Sequence, residues 1–241
     1  MAGHSKFANI KHKKERADSK RGKIFTKIGR ELAVAVKQGG SNPETNSRLR
    51  DAIAKAKANN MPNDNIERSI KKAAGNLDTV NYESVTYEGY GPAGAAVIVE
   101  ALTDNRHRTA ANVRNAFTKG AGNLGQSGSV AFQFEKLGQI AVERTDKVDE
   151  EKLMELSLDL GAEDFISSEE GYEIVTSAED FHQVQATLKE AGYALFASEI
   201  TMMPSVNITL KSPEDIKKMN KLLDLLEEDD DVQEVYHNAV F

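Results

Sequence analysis

Ten Lys and Arg residues fall within the first thirty positions: Lys6, Lys11, Lys13, Lys14, Arg16, Lys20, Arg21, Lys23, Lys27 and Arg30. Cations at this density neutralise phosphates and release condensed counterions, so the affinity they give falls steeply with salt. Asn9 and His12 lie among them as hydrogen-bonding groups, and Phe7 adds a ring able to stack on an unpaired base. These thirteen residues are candidate nucleic-acid contacts. The plainer reading is a solubilising basic tail. Attachment to a membrane surface is disfavoured, because the segment has no amphipathic apolar face.

A second candidate contact lies further along, where Asp104-Asn105-Arg106-His107-Arg108 opens a helix that also carries Arg114. Its arginines suit a phosphate or an acidic partner, and equally suit solvated charge at a capped helix start. Gly120-Ala121-Gly122-Asn123-Leu124-Gly125 fits the dinucleotide pattern G-x-G-x-x-G in the wrong context. Such a fingerprint follows a strand and opens a helix, whereas these glycines follow a helix and precede a strand. The segment reads as a flexible loop able to approach RNA or protein, and no cofactor is expected. Asp229-Asp230-Asp231, after Glu227-Glu228, reads as a charged turn and not as a cation site. The five His are scattered, Cys is absent, and no nucleophile pairs with a base. The sequence therefore predicts neither an enzyme, nor a metal site, nor a small-molecule substrate.

The elements that position these groups follow from periodicity. Residues 1–19 show no apolar stripe and read as a mobile arm. Ile24, Ile28, Leu32 and Val36 recur every fourth residue and predict a helix over 20–38, stopped by Gly39-Gly40. Asn42 and Pro43 predict the start of a second helix, and Asn63 that of a third ending at Gly75. The last two are spaced much like a helix-turn-helix. Strands are predicted at Val97–Val99 and Val130–Phe134, around a helix capped by Asp104. Residues 139–203 then read as β-α-β-β-α-β, the ferredoxin-like unit. A strand at Val206–Leu210, a helix opened by Ser212-Pro213 and a strand from Val232 complete the chain. The result is an α+β multidomain fold: a basic helical domain over 1–78, an α/β domain from 82–137 plus 205–241, and an inserted ferredoxin-like α/β domain over 138–204.

Charge divides along the same line. Residues 1–75 hold 18 Lys and Arg against 7 Asp and Glu, while the remainder holds 13 against 31. Such asymmetry points to nucleic acid as the partner of the basic part. The acidic part, repelled by the same phosphates, is expected to face away or meet another partner. No apolar run near the start resembles a signal peptide, and none reaches the roughly 20 residues of a membrane span, so a cytoplasmic location is expected.

Four stretches together resemble one family. They are Met1-Ala2-Gly3-His4-Ser5-Lys6-Phe7-Ala8-Asn9-Ile10-Lys11-His12-Lys13-Lys14, Met61-Pro62-Asn63-Asp64-Asn65-Ile66-Glu67-Arg68, Tyr87-Glu88-Gly89-Tyr90-Gly91-Pro92 and Val97-Ile98-Val99-Glu100-Ala101-Leu102-Thr103-Asp104-Asn105-Arg106. In that order, across essentially the whole chain, they are similar to the YebC family. Phe7 departs from the pattern, which usually has Trp there; stacking survives with less ring area and no indole donor. The resemblance implies three domains and two functional pictures. One is a transcriptional regulator bound to promoter DNA. The other is a ribosome-associated factor that binds ribosomal or transfer RNA and relieves stalled elongation, as related translational activators suggest. The interleaved aromatic and Asn residues of the arm, and a second helix with few base-reading side chains, lean slightly towards RNA. The role that the resemblance implies first is DNA-binding regulation of transcription, and both readings stay open. A protein-interaction scaffold working through its acidic domains is the alternative from another class.

Overall fold

The Asn46 side chain ties the first two helices of the helical region together. It accepts the Leu49 N–H at 3.0 Å and donates to the carbonyls of Ala35 and Gly40, each at 2.8 Å. One buried amide thus caps a helix and pins it to the end of its predecessor. The protein is seen in a computed structural model that describes Phe7, Ile10, Lys11, residues 21–75 and residues 81–241. Helices α1 (Arg21–Gly39), α2 (Ser47–Ala58) and α3 (Asn63–Gly75) enclose Ile28, Leu32, Ala35, Leu49, Ala52, Met61 and Ile66. Helix α2 begins later than Asn42 and Pro43 predict. Residues 42–45 form a turn in which the Asn42 side chain accepts the Glu44 N–H at 2.9 Å. Asn46, buried against α1, is the cap that wins.

The described residues within 17–130 and 212–237 form one compact unit, and those within 1–16, 131–211 and 238–241 another. The first holds α1–α3 and an antiparallel sheet ordered β3-β1-β2-β9. Its strands are β1 (Glu83–Tyr90), β2 (Ala96–Thr103), β3 (Asn123–Leu124) and β9 (Val232–His237), with α4 (Arg106–Lys119) and α7 (Pro213–Glu228) packed together on it. This is the ferredoxin-like layout reached by another path, because the central hairpin β1–β2 comes first in the chain. Strand β1 is the element the sequence leaves out. The cap of α4 is Asn105, whose side chain accepts the Arg108 N–H at 3.0 Å, and not Asp104. Asp104 instead pairs with Arg108.

The second unit holds β4 (Phe134–Glu143), α5 (Glu150–Asp159), β5 (Asp164–Ser167), β6 (Gly171–Ser177), α6 (Phe181–Glu190) and β7 (Leu195–Pro204), with sheet order β5-β6-β4-β7. Ile140, Val142, Leu153, Tyr172, Ile174, Phe181, Val184 and Leu188 make its core. Val130–Phe134 is not a strand. Residues 131–133 form a 3-10 turn, Phe132 is 76% exposed, and Phe134 starts β4, which runs unbroken through positions 137 and 138. The strand predicted at Val206–Leu210 shrinks to β8 (Ile208–Thr209), parallel to β10 (Ala239–Val240). Among the described residues no helix is long and apolar enough to cross a membrane.

Candidate nucleic-acid interface

Helix α1 buries Ile28, Leu32 and Ala35 on one face and aligns Lys23, Lys27 and Arg30 on another, through their i, i+4, i+7 spacing. The structure sets this row against the acidic turn after α7. Lys23 Nζ donates to the Glu228 carbonyl and Lys27 Nζ to the Glu227 carbonyl at 3.0 Å. Arg30 Nη1 donates to the Asp230 carbonyl at 2.7 Å and to Asp231 Oδ1 at 2.6 Å. The carbonyls at a helix C-terminus carry partial negative charge, which adds to that of the side chains. The acidic part of the chain thus does not all face away from the basic part. Five consecutive acidic residues serve as an internal counter-charge for α1.

Asp231 is the hub of this contact. Its side chain is 4% exposed. Besides Arg30 it accepts Arg108 Nη2 at 2.7 Å, Arg108 Nε at 3.2 Å and the Thr109 hydroxyl at 2.8 Å. Burial by itself would raise this carboxyl, but hydrogen bonds from Arg108, Thr109 and Arg30 outweigh it and hold the group below its ordinary range. Lys55 of α2 sits between Glu234 at 2.9 Å and Glu31 at 3.1 Å. Burial would lower its ammonium, yet Glu234 and Glu31 override that and hold it above the usual lysine value. Burial lowers Lys27, with Glu234 and Glu227 only partly offsetting it. Arg30 and Lys55 are therefore bound into the structure, and Arg108 is bound with them.

Phe7 also differs from its sequence reading. Its ring is 3% exposed and packs against Phe196 with centroids 5.5 Å apart, beside Ile10 and Ala141. Gly171 makes the room: a Cβ there would lie 2.5 Å from the Phe7 ring. A ring covered on the β4–β7 side has no free face for a base. Phe7, Ile10 and Lys11 are helical, so Phe7 and Ile10 form an i, i+3 stripe within the segment read as an arm. Lys11 is exposed. Lys6, Asn9, His12, Lys13, Lys14, Arg16 and Lys20 lie outside the described residues, as does the Arg21 side chain. Arg106 pairs with Glu83 at 3.6 Å on the surface, and Arg114 is exposed on α4.

The cations that sequence reasoning passed over are on α2 and α3. Arg50 and Lys57 (i, i+7) and Arg68 and Lys72 (i, i+4) are exposed, and among the described residues no partner holds them. Arg48 reaches Gln38 at 2.5 Å, and Lys71 meets Glu67 at 3.8 Å. Their helical spacing was the available signal, overshadowed by the denser run before it. The glycine segment 120–130 is held in place as well. Glu88, 5% exposed, accepts the N–H groups of Gly128 at 2.7 Å and Val130 at 2.8 Å. Tyr90 Oη donates to the Ser129 carbonyl at 2.9 Å. Among the described residues no group of three or more His, Asp or Glu is placed to hold a metal ion.

A cation-bearing helical region joined to two ferredoxin-like sheets defines a multidomain α+β protein. Residues 5–76 match the family model described as the TACO1/YebC protein N-terminal domain, and residues 82–239 that of the TACO1/YebC second and third domain. The chain belongs to the TACO1/YebC family. It is similar to a "Probable transcriptional regulatory protein" of Acetivibrio thermocellus, 60% identical over 238 residues that cover 99% of this chain and 98% of the relative. A relative of the same name from Agathobacter rectalis is 58% identical over 239 residues, 99% of each chain. The crystal structure of the conserved hypothetical protein Aq1575 from Aquifex aeolicus is also similar, with a TM-score of 0.78 and 47% identity. It covers 92% of this chain and 91% of that one. By the names of its relatives, the family is one of regulatory proteins.

Proposed function

We propose that the protein regulates gene expression by binding RNA in the setting of the ribosome, through the exposed cations of α2 and α3. The observation that carries this reading is the charge layout of those helices. Arg50, Lys57, Arg68 and Lys72 offer phosphate contacts from two helix faces. A helix-turn-helix reader would instead put the first residues of α3 against base edges. Those positions carry exposed Asp64 and Glu67, which repel the flanking phosphates of a duplex. Phosphate contacts position a protein without reading sequence, and folded RNA is recognised largely by shape and backbone. The acidic remainder of the chain suits docking among basic ribosomal proteins. Crosslinking in cells, followed by sequencing of the bound nucleic acid, tests the proposal. Recovery of ribosomal or transfer RNA without promoter enrichment supports it. Enrichment of promoter DNA overturns it in favour of transcriptional control.

A further inference from the structure

The row on α1 has the arrangement that tracks a phosphate backbone, with cations about 6 Å and then about 4.5 Å apart along the helix axis at 1.5 Å per residue. Its present partners are a close run of anionic and carbonyl oxygens: Glu227 O, Glu228 O, Asp230 O and Asp231 Oδ1. The contact is uneven along its length. At its inner end Arg30 and Asp231 are 20% and 4% exposed. At its outer end Lys23 and the Asp230 carboxylate are 46% and 51% exposed and 3.8 Å apart. Solvent-screened pairs of that kind are weak and exchange readily. The turn itself, from Glu228 to Asp231, walls an open polar cleft together with Arg30, Tyr82, Asp104, Arg108 and Asn112.

We propose that the acidic turn Glu227–Asp231 is an internal competitor for nucleic acid, occupying Lys23 and Lys27 as phosphates would and yielding them to a bound strand while Arg30–Asp231 stays closed. This rests on the nucleic-acid reading given under Proposed function. The turn sets a threshold. A short or loosely held strand meets only the α2 and α3 cations, whereas one that reaches α1 exchanges one set of anions for another and gains contacts at little cost in desolvation. The turn also screens the row from unspecific polyanions.

The test uses the full chain and a labelled single-stranded RNA 20-mer, with fluorescence anisotropy over a salt series. The Glu228→Gln/Asp230→Asn variant removes two exposed charges and keeps every backbone carbonyl and Asp231. It is expected to tighten binding about threefold to tenfold at low salt and to steepen the salt dependence. In a Lys23→Ala/Lys27→Ala background the same change should give less than about a twofold gain, because the released cations are gone. A Glu169→Gln/Glu170→Gln control makes an equal charge change elsewhere and is expected to do little. Equal affinity for the wild type and the E228Q/D230N variant overturns the proposal, as does a gain that survives without Lys23 and Lys27 or is matched by the control. Failure of every form to bind RNA overturns the nucleic-acid reading together with this one. Wild-type binding that the turn variant leaves unchanged overturns only the competitor.

Discussion

Replacing Asp231 by Asn changes almost nothing in volume and removes the charge on which two guanidinium groups converge. The carboxylate takes Arg30 at 2.6 Å, Arg108 at 2.7 and 3.2 Å and Thr109 at 2.8 Å. An amide loses the charge assistance and turns a donor towards one of these donors. The Arg30 bond, well shielded from water, is worth about 2 kcal/mol. The Arg108 pair, with that arginine 46% exposed, adds about 1 kcal/mol or less. A misplaced buried donor costs about another 1 kcal/mol. The expected loss is therefore about 3–4 kcal/mol, within the range for severing a buried ion pair. Hydrogen exchange at the Leu102 amide, which donates to the Asp231 carbonyl at 2.8 Å, reads it locally, alongside urea unfolding followed by circular dichroism. The pH dependence supplies a second check. The folded carboxyl lies below its ordinary value of 3.8. Its stabilisation is thus fully present above that value and lost as pH falls through the lower folded one. The gap between wild type and D231N should hold from pH 7 to about 5 and narrow below about 4. A loss under about 1 kcal/mol, or a gap that stays constant to pH 3, would falsify the assignment of Asp231 as the charged hub.

Three further outcomes are open to measurement. Arg50→Ala with Lys57→Ala should lower the slope of log affinity for single-stranded RNA against log salt by about 1.4. Unfolding midpoints should barely move, since surface changes of this kind fall within about 0.5 kcal/mol; an unchanged slope removes α2 from the interface. Glu88→Ala strips the acceptors of Gly128 and Val130 and should speed exchange of those two amides by at least about fivefold, as expected for about 1–3 kcal/mol of lost anchoring. Gly171→Ala places a carbon against the Phe7 ring, so limited proteolysis should cut the segment around Phe7 faster than in the wild type. Equal cutting rates would count against its docking on the sheet.

What the sequence discloses depends on how local the determining contact is. Helix α1 is legible because Ile24, Ile28, Leu32 and Val36 mark its face within the segment itself. Strand β1 is not. Val85 and Tyr87 are its only large apolar residues ahead of Gly89 and Tyr90, and Gly89 is needed because Phe117 and Asn123 press on it from elsewhere. Asn42 and Asn46 cannot be told apart as caps for a related reason: both have the right chemistry, and only the end of α1 selects between them. Phe7 among lysines suggests stacking, because nothing nearby announces the space that Gly171 leaves. The cations divide in the same manner. Helical spacing shows Lys23, Lys27 and Arg30 on one face, but their acceptors lie 200 or more residues further on. Sequence density alone could not separate cations already engaged from Arg50, Lys57, Arg68 and Lys72, which among the described residues are not.

The path of the chain through its two units bears on how the protein is made. Strand β9 closes the first sheet on β2 with residues 232–237, and β10 reaches β8 with residues 239–240. Arg30 and Lys55 likewise meet Asp231 and Glu234. A ribosome adding about 5–20 residues per second delivers all of these partners after helices α1–α3 and strands β1–β8. Until then helices α1–α3 can assemble around their own core, while the first sheet lacks its β9 edge, β8 lacks its partner, and the row on α1 stands without its counter-charge. The growing chain passes through a stage in which its most basic helix is uncovered beside RNA, and the acidic turn that covers it follows 200 residues later.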